Sequence, residues 1–402
     1  MRNKPKSDYF LCPADQHFYL SPILTKGFFI CKSLVRDCGI IFLMKKIILT
    51  GGGTAGHCVP NLALVPILRE LDFEVAYIGS YNGIEKKLVE SAKIPYFGIS
   101  TGKLRRYFDL KNFTDPFRVI KGFAEAYSIL KKEKPDIVFS KGGFVSVPVV
   151  KAAAMLKIPV VIHESDMTPG LANKLCYNSA EKICCSFRKT LDLLPADKAV
   201  FTGSPIRASL LKGDRAKARS FTGIRSGDYP TILVIGGSLG AQNVNEQVRR
   251  ILPKILPHYN VIHLCGKGKL DPTLNSTDGY VQYDYIQKEL PDLFALSDLV
   301  ISRAGSNAIF ELLALKKPNI LIPLPREVSR GDQVLNAEAF ENAGYSYVLQ
   351  ESNMNDESLI KAVEFVADHR FDYIQTMEES VESGAVKTIC GLLNDIVDEH
   401  RK

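Results

Sequence analysis

Short apolar runs alternate with longer stretches of helical period along most of this chain. From Lys45 the pattern opens on Ile47-Ile48-Leu49-Thr50, and similar runs recur at 75–78, 137–140 and 160–163. A second series follows at 232–235, 261–264, 299–302 and 319–322. Such runs lack the apolar–polar alternation of a half-solvated strand, so they read as strands buried on both faces, with the helical stretches as their covers. The pattern predicts an α/β protein of two doubly wound, Rossmann-like domains of parallel strands, facing each other across a cleft. Ligands of such sheets bind beyond the carboxyl ends of the strands.

Each series opens with the same device. The first strand runs into Gly51-Gly52-Gly53-Thr54-Ala55-Gly56-His57, and strand 232–235 into Gly236-Gly237-Ser238-Leu239-Gly240-Ala241. Glycines let a backbone approach a ligand closely, and the helix that follows offers unpaired N–H groups and a positive dipole end. His57 closes the first loop at the expected mouth of the cleft. An imidazole there acts either as a base near neutral pH or as a simple partner of the backbone. Further polar clusters follow neighbouring strands, at Lys141-Gly142-Gly143-Phe144 and at His163-Glu164-Ser165-Asp166, and either suit a polar substrate such as a sugar or simply cap the helices that follow. In the second series, Ser302-Arg303-Ala304-Gly305-Ser306-Asn307 leads into a helix carrying Glu311. Small residues at that helix start suit a diphosphate, and Glu311 is placed to accept from ribose hydroxyls. The polar segment from Arg330 to Asn336, which includes Gln333, is expected to meet sugar hydroxyls.

Composition narrows this picture only a little. A length of 402 residues suits two domains, expected at 44–206 and 207–402 with a hinge at 203–207 where Gly and Pro interrupt both periods. Residues 1–43 carry no clear period, and Met44 directly precedes the first strand. The expectation is that Met44 is the natural start; the alternative is a short membrane-surface anchor. The most apolar stretch, 27–44, is interrupted by Lys32, Arg36 and Asp37 and is too broken to span a bilayer. The net charge of +7 is compatible with anionic lipid, nucleotide sugars or nucleic acid and selects none of them. The 9 cysteines show no metal-ligand spacing and read as buried thiols of a reduced, cytosolic protein. Between Lys103 and Phe123, cations (Arg105, Arg106, Lys111, Arg118, Lys121) interleave with aromatics, as suits an anionic membrane surface; core packing under a solvated basic face is the alternative.

Together these segments resemble the MurG-type family, the GT-B glycosyltransferases that add N-acetylglucosamine to a peptidoglycan precursor. The resemblance runs from about residue 45 to about 393 and rests on GGGTAGH at 51–57, KGGFVSVP at 141–148, HESDMTPGLANK at 163–174, GGSLGAQNVN at 236–245, SRAGSNAIFE at 302–311 and GDQVLNA at 331–337. It implies an inverting transfer without metal or other cofactor, from UDP-N-acetylglucosamine to the 4-hydroxyl of a muramoyl-peptide on undecaprenyl diphosphate. By the same resemblance His57 is the catalytic group, and Thr54, Ala55 and Gly56 contact the donor. Arg207 and Ser238 line the nucleotide pocket, with Ile286 against uracil. Ser306, Asn307 and Glu311 take the diphosphate and ribose, and Gln333 the sugar hydroxyls. Asp166 stands where many relatives carry Asn, and Ala55 where glycine is common. The implied setting is the cytoplasmic face of the plasma membrane, held peripherally on anionic lipid, with cell-wall synthesis proteins as partners and no nucleic acid. Three other readings share parts of these features: a glycolipid synthase with a diacylglycerol acceptor, a UDP-sugar epimerase, and a module that only binds nucleotide sugar.

No D-x-D occurs in the chain, so the carboxylate pair that holds a metal against a diphosphate is missing. Turnover is expected to be nearly unchanged in chelator. Activity lost to chelator and restored by magnesium or manganese would show that helix termini alone do not carry the diphosphate charge.

Overall fold

Two parallel sheets organise the chain in the computed structural model, which describes residues 44–402 apart from 103–114, 226, 228, 238–239, 328–330 and 381–383. The first sheet holds β1 (Lys45–Thr50), β2 (Phe73–Ser80), β3 (Tyr96–Ile99), β4 (Ile137–Ser140), β5 (Val160–Glu164), β6 (Lys182–Cys185) and β7 (Ala199–Phe201), in the order 3-2-1-4-5-6-7. The second holds β8 (Thr231–Ile235), β9 (Asn260–Leu264), β10 (Tyr280–Tyr283), β11 (Leu299–Ser302), β12 (Asn319–Leu321) and β13 (Tyr347–Val348), in the order 10-9-8-11-12-13.

Every second side chain of a strand enters the same core. Ile47 and Leu49 join one core with Leu64 and Leu68 of helix Ala55–Glu70, while Ile48 joins the opposite core with Val149 and Ala153 of helix Ser146–Met155. Ile232 and Val234 likewise part from Leu233 in the second sheet. Both faces of both sheets are covered, which is why these strands read as continuous apolar runs.

The eight runs read from the sequence fall in β1, β2, β4, β5, β8, β9, β11 and β12. The strands without such a run are the sheet ends β3, β7, β10 and β13, together with β6 beside one end. End strands are covered less completely, and their sequences are correspondingly mixed, as in Tyr280-Val281-Gln282-Tyr283.

The expected division at 206/207 meets a second crossing near the C-terminus. Helix Ala385–His400 returns to the first half and buries Ile389, Cys390, Leu393, Ile396 and Val397 against helix Ala55–Glu70. It is tied there by Lys45 Nζ, which donates to Asn394 Oδ1 at 2.7 Å and pairs with Asp398 at 2.5 Å. The exchange is mutual. Phe187, which follows β6, inserts into a core of the second half with its ring 5.0 Å from Phe310 and 6.1 Å from Phe340. The halves therefore complete each other's cores.

Most of the cationic and aromatic stretch read from the sequence, 103–114, lies outside the described residues. On helix Asp115–Glu133, Phe117 is 75% exposed and Ile120 66%, whereas Phe123 packs on the core. No helix among the described residues is long and apolar enough to cross a membrane. The six described cysteines are all buried.

Leu393→Ala empties a fully buried position in the returning helix. The expected cost in urea unfolding is about 2–5 kcal/mol. A loss below about 1 kcal/mol, in the range of surface changes, would mean that the first core is complete without this helix.

Candidate functional site

Strand order reverses between β1 and β4 in the first sheet and between β8 and β11 in the second. Loops beyond such reversals splay apart and leave room for a ligand. The glycine-rich segments, Lys141–Phe144 and Arg303–Gly305 all leave from these strands, so the chemistry read from the sequence converges on the two switch points.

The first loop is braced from below. Tyr77 donates its hydroxyl to the Gly51 carbonyl at 2.6 Å, and Asn61 Nδ2 donates to the Thr50 carbonyl at 3.0 Å. Glu85, fully buried, accepts from Ser80 N at 3.0 Å, Ser80 Oγ at 2.5 Å and Gly53 N at 3.4 Å. Gly53 has φ +92°, and a Cβ there would lie 2.4 Å from the Phe144 ring, so only glycine fits.

Helix Ala55–Glu70 starts at Thr54 and helix Ser306–Ala314 at Gly305, with neither a side-chain cap nor an acid in the first turn of either. Their first N–H groups and positive dipole ends are thus left for another acceptor. The two starts meet: Asn307 Nδ2 donates to the Gly56 carbonyl at 2.7 Å. Thr54, Ala55 and Gly56 of the first half are so brought beside Ser306 and Asn307 of the second, as a site spanning both would require.

His57 sits in the first turn of its helix, half-buried, with Nδ1 3.1 Å from the Lys141 carbonyl. A carbonyl only accepts, so Nδ1 carries the proton, and in the neutral ring Nε2 carries the lone pair. The backbone bond and an oriented base are therefore one arrangement. Gly143 closes over this ring. Its φ is +84°, and a Cβ would lie 2.3 Å from the Gly52 carbonyl oxygen and 3.1 Å from His57 Cδ2.

Lys141 and His163 are not cleft residues. Both are buried, and Lys141 Nζ lies 2.8 Å from His163 Nδ1 and donates to Ser165 Oγ at 2.6 Å. His163 Nε2 in turn donates to the Gly203 carbonyl at 3.0 Å. Burial pushes the Lys141 ammonium down to about 7, against the pull of Glu164, Asp166 and Cys184. Burial, then Lys141, drives His163 well below its usual value, so it is neutral. Glu164 is pushed up to about 7 by burial, although Asn173 Nδ2 and Gly170 N donate to it at 2.9 and 3.0 Å.

In the second half Arg207 and Glu311 form an ion pair at 3.3 Å. Burial raises the Glu311 carboxyl, and Arg207 opposes it. Arg207 and Ile286 line one pocket with Ile235 and Gly237 of the second half and Val59 and Ile84 of the first, which brings together the expected nucleotide residues. Ser238 lies outside the described residues. Gln333, near the start of helix Asp332–Asn342, accepts from Leu324 N at 3.0 Å, leaving its amide nitrogen as the group to offer a ligand. Asp166 is half-buried and accepts from Asn336 Nδ2 through its Oδ1 at 3.0 Å.

Sequence reasoning passed over Glu85 and the partner of Asn336. Glu85 sits in no motif, and only Ser80 five residues earlier hints at its pairing. Asn336 was visible inside GDQVLNA, but a contact partner 170 positions away is not readable from spacing.

Comparison with known proteins places these features in a family. Residues 47–185 match the glycosyltransferase family 28 N-terminal domain, and residues 231–389 the family's C-terminal domain. A Lachnoclostridium phytofermentans protein, UDP-N-acetylglucosamine–N-acetylmuramyl-(pentapeptide) pyrophosphoryl-undecaprenol N-acetylglucosamine transferase, is 58% identical over 353 residues, covering 88% of this chain and 99% of its own length. The Lachnospira eligens protein of the same name is 59% identical over 352 residues, again 88% of this chain and 99% of its own. The crystal structure of Acinetobacter baumannii MurG superposes with a TM-score of 0.69 at 25% identity, covering 87% of this chain and 99% of that one.

Gly143→Ala strains the backbone and crowds the His57 ring. The expected result is a folded protein whose turnover falls about a hundredfold, as follows from displacing a reacting group by about 1 Å. Normal turnover in that variant would mean that the ring position is not set by this contact.

Proposed function

The chain belongs to glycosyltransferase family 28, and from that premise we infer that it transfers N-acetylglucosamine from UDP-N-acetylglucosamine to a muramoyl-pentapeptide carried on undecaprenyl diphosphate, releasing UDP. The end-to-end match to transferases of that name carries the reading, because a fold shared by many sugar-nucleotide enzymes would not.

The site supports a division of labour between the halves. His57 Nε2 removes the proton from the muramoyl 4-hydroxyl as its oxygen attacks the anomeric carbon, and the bond to UDP breaks on the opposite face. The Nδ1–H bond to the Lys141 carbonyl keeps the ring in the required tautomer and steadies the imidazolium that forms. Ser306 and Asn307 receive the donor diphosphate at a helix start, where N–H groups meet the charge that grows on the leaving group. Thr54, Ala55 and Gly56 meet the donor from the other side. Glu311, held by Arg207, takes the ribose hydroxyls, Ile286 packs on the uracil, and the Gln333 amide donates to the sugar. No step is assigned to a metal.

Exposed Phe117 and Ile120, with Lys121 beside them, suit docking on the anionic cytoplasmic face of the plasma membrane, where the lipid-linked acceptor is held.

Purified protein, labelled UDP-N-acetylglucosamine and the lipid-linked muramoyl-pentapeptide test this directly. The expected product is a labelled disaccharide lipid. Labelling of diacylglycerol instead, or donor turnover without any lipid, would replace the reading by a glycolipid synthase or an epimerase. His57→Ala is expected to lower kcat by about a hundredfold to ten-thousandfold with UDP affinity retained. Glu311→Ala is expected to raise the donor KM more than it lowers kcat, since ribose contacts precede and persist through the reaction.

A further inference from the structure

Lys141 is the most unusual buried group in the molecule. An apolar side chain of similar length would fill its place without the cost of burying an ammonium. Its three polar groups point in three directions. The N–H donates to the Thr50 carbonyl at the end of β1, at 2.9 Å. The carbonyl accepts from His57 Nδ1. The Nζ reaches Ser165 Oγ and His163 Nδ1.

Those last two partners lie on two of the places where the first half meets the second around the site. Each residue of the segment 165–168 is hydrogen-bonded across the cleft. The Ser165 carbonyl accepts from Ser306 Oγ, at the start of the helix proposed to receive the diphosphate. Asp166 accepts from Asn336 Nδ2 at 3.0 Å, and Met167 N donates to Asn336 Oδ1 at 2.9 Å. Thr168 Oγ1 donates to Asp332 Oδ1 at 3.2 Å, one residue from Gln333. His163, for its part, donates to Gly203 in the segment that carries the chain over to the second half. One side chain thus joins the strand end that orients His57 to a strap touching two donor-binding helices.

We propose that Lys141 is a positioning residue for the transfer step, coupling the placement of His57 to the grip of the 165–168 strap on the second half. The proposal rests on the reading of His57 as the base. With the strap seated on Ser306 and Asn336, the ammonium is held between Ser165 and His163, and the main chain of Lys141 presents its carbonyl to the imidazole. When the halves part, the strap is released and the residue whose carbonyl lies under His57 loses its side-chain anchor, keeping only the bond of its N–H to Thr50. The base is therefore ordered when the donor half is in place.

Lys141→Met removes the nitrogen but keeps the length and the main-chain carbonyl. The expected kcat is about 10- to 100-fold lower, in line with a small misplacement of a reacting group, while UDP binding measured by calorimetry stays within about threefold. In the His57→Ala background the same substitution is expected to lower kcat no further, because a residue that acts only by placing the base has nothing left to place. Ser165→Ala, which removes the strap's acceptor without burying a new charge, is expected to behave in the same way, alone and on His57→Ala. It decides the matter by the same criterion if Lys141→Met does not fold. Unchanged kcat in both variants, or an equal fold-loss with and without His57, would overturn the proposal. A wild-type chain with full transfer activity whose His57→Ala variant is unimpaired would instead remove the base, and with it the premise.

Discussion

In a parallel sheet the strand order has to reverse beside the first strand if helices are to cover both faces, and the loops at that reversal cannot close over one another. Here the reversal occurs twice, at β1–β4 and at β8–β11, and the rest of the molecule follows from placing the two openings face to face. The uncapped starts of helices Ala55–Glu70 and Ser306–Ala314 then meet within one hydrogen bond of each other. Together the two openings bring two uncapped helix starts and one oriented imidazole to the same space.

Polar contacts help to hold the openings in register. Segment 165–168 meets Ser306, Asp332 and Asn336 through hydrogen bonds. Their net worth in water is modest, about 0.5–1.5 kcal/mol for a neutral pair and about 1.5–3 kcal/mol where an Asp carboxylate accepts. Apolar ties join the halves as well, at Met167 within the strap, at Phe187 and at the returning helix.

The sequence disclosed whatever depends on local pattern. Buried central strands such as 137–140 show as apolar runs, and the loops at 51–57 and 302–307 show as glycine and hydroxyl clusters at strand ends. Edge strands such as β7 escaped because partial exposure mixes their composition. Lys141 looked like a cleft residue because it stands in a polar loop. Which way a side chain points after a strand end depends on the neighbouring strand, here β5 with His163, and spacing along the chain carries no record of it. Helix Ala385–His400 has an apolar face that the period reveals, but a period cannot say which of two cores that face will cover.

That helix also sets an order on biogenesis. The strands of the first sheet end at Phe201, yet the groove over Leu64 and Leu68 is filled by residues 389–397. A ribosome adding about 5–20 residues per second needs roughly 10–40 s to cover the intervening stretch. Through that interval the nascent first half carries an uncovered apolar strip, and its last piece of core arrives only with residues 389–397.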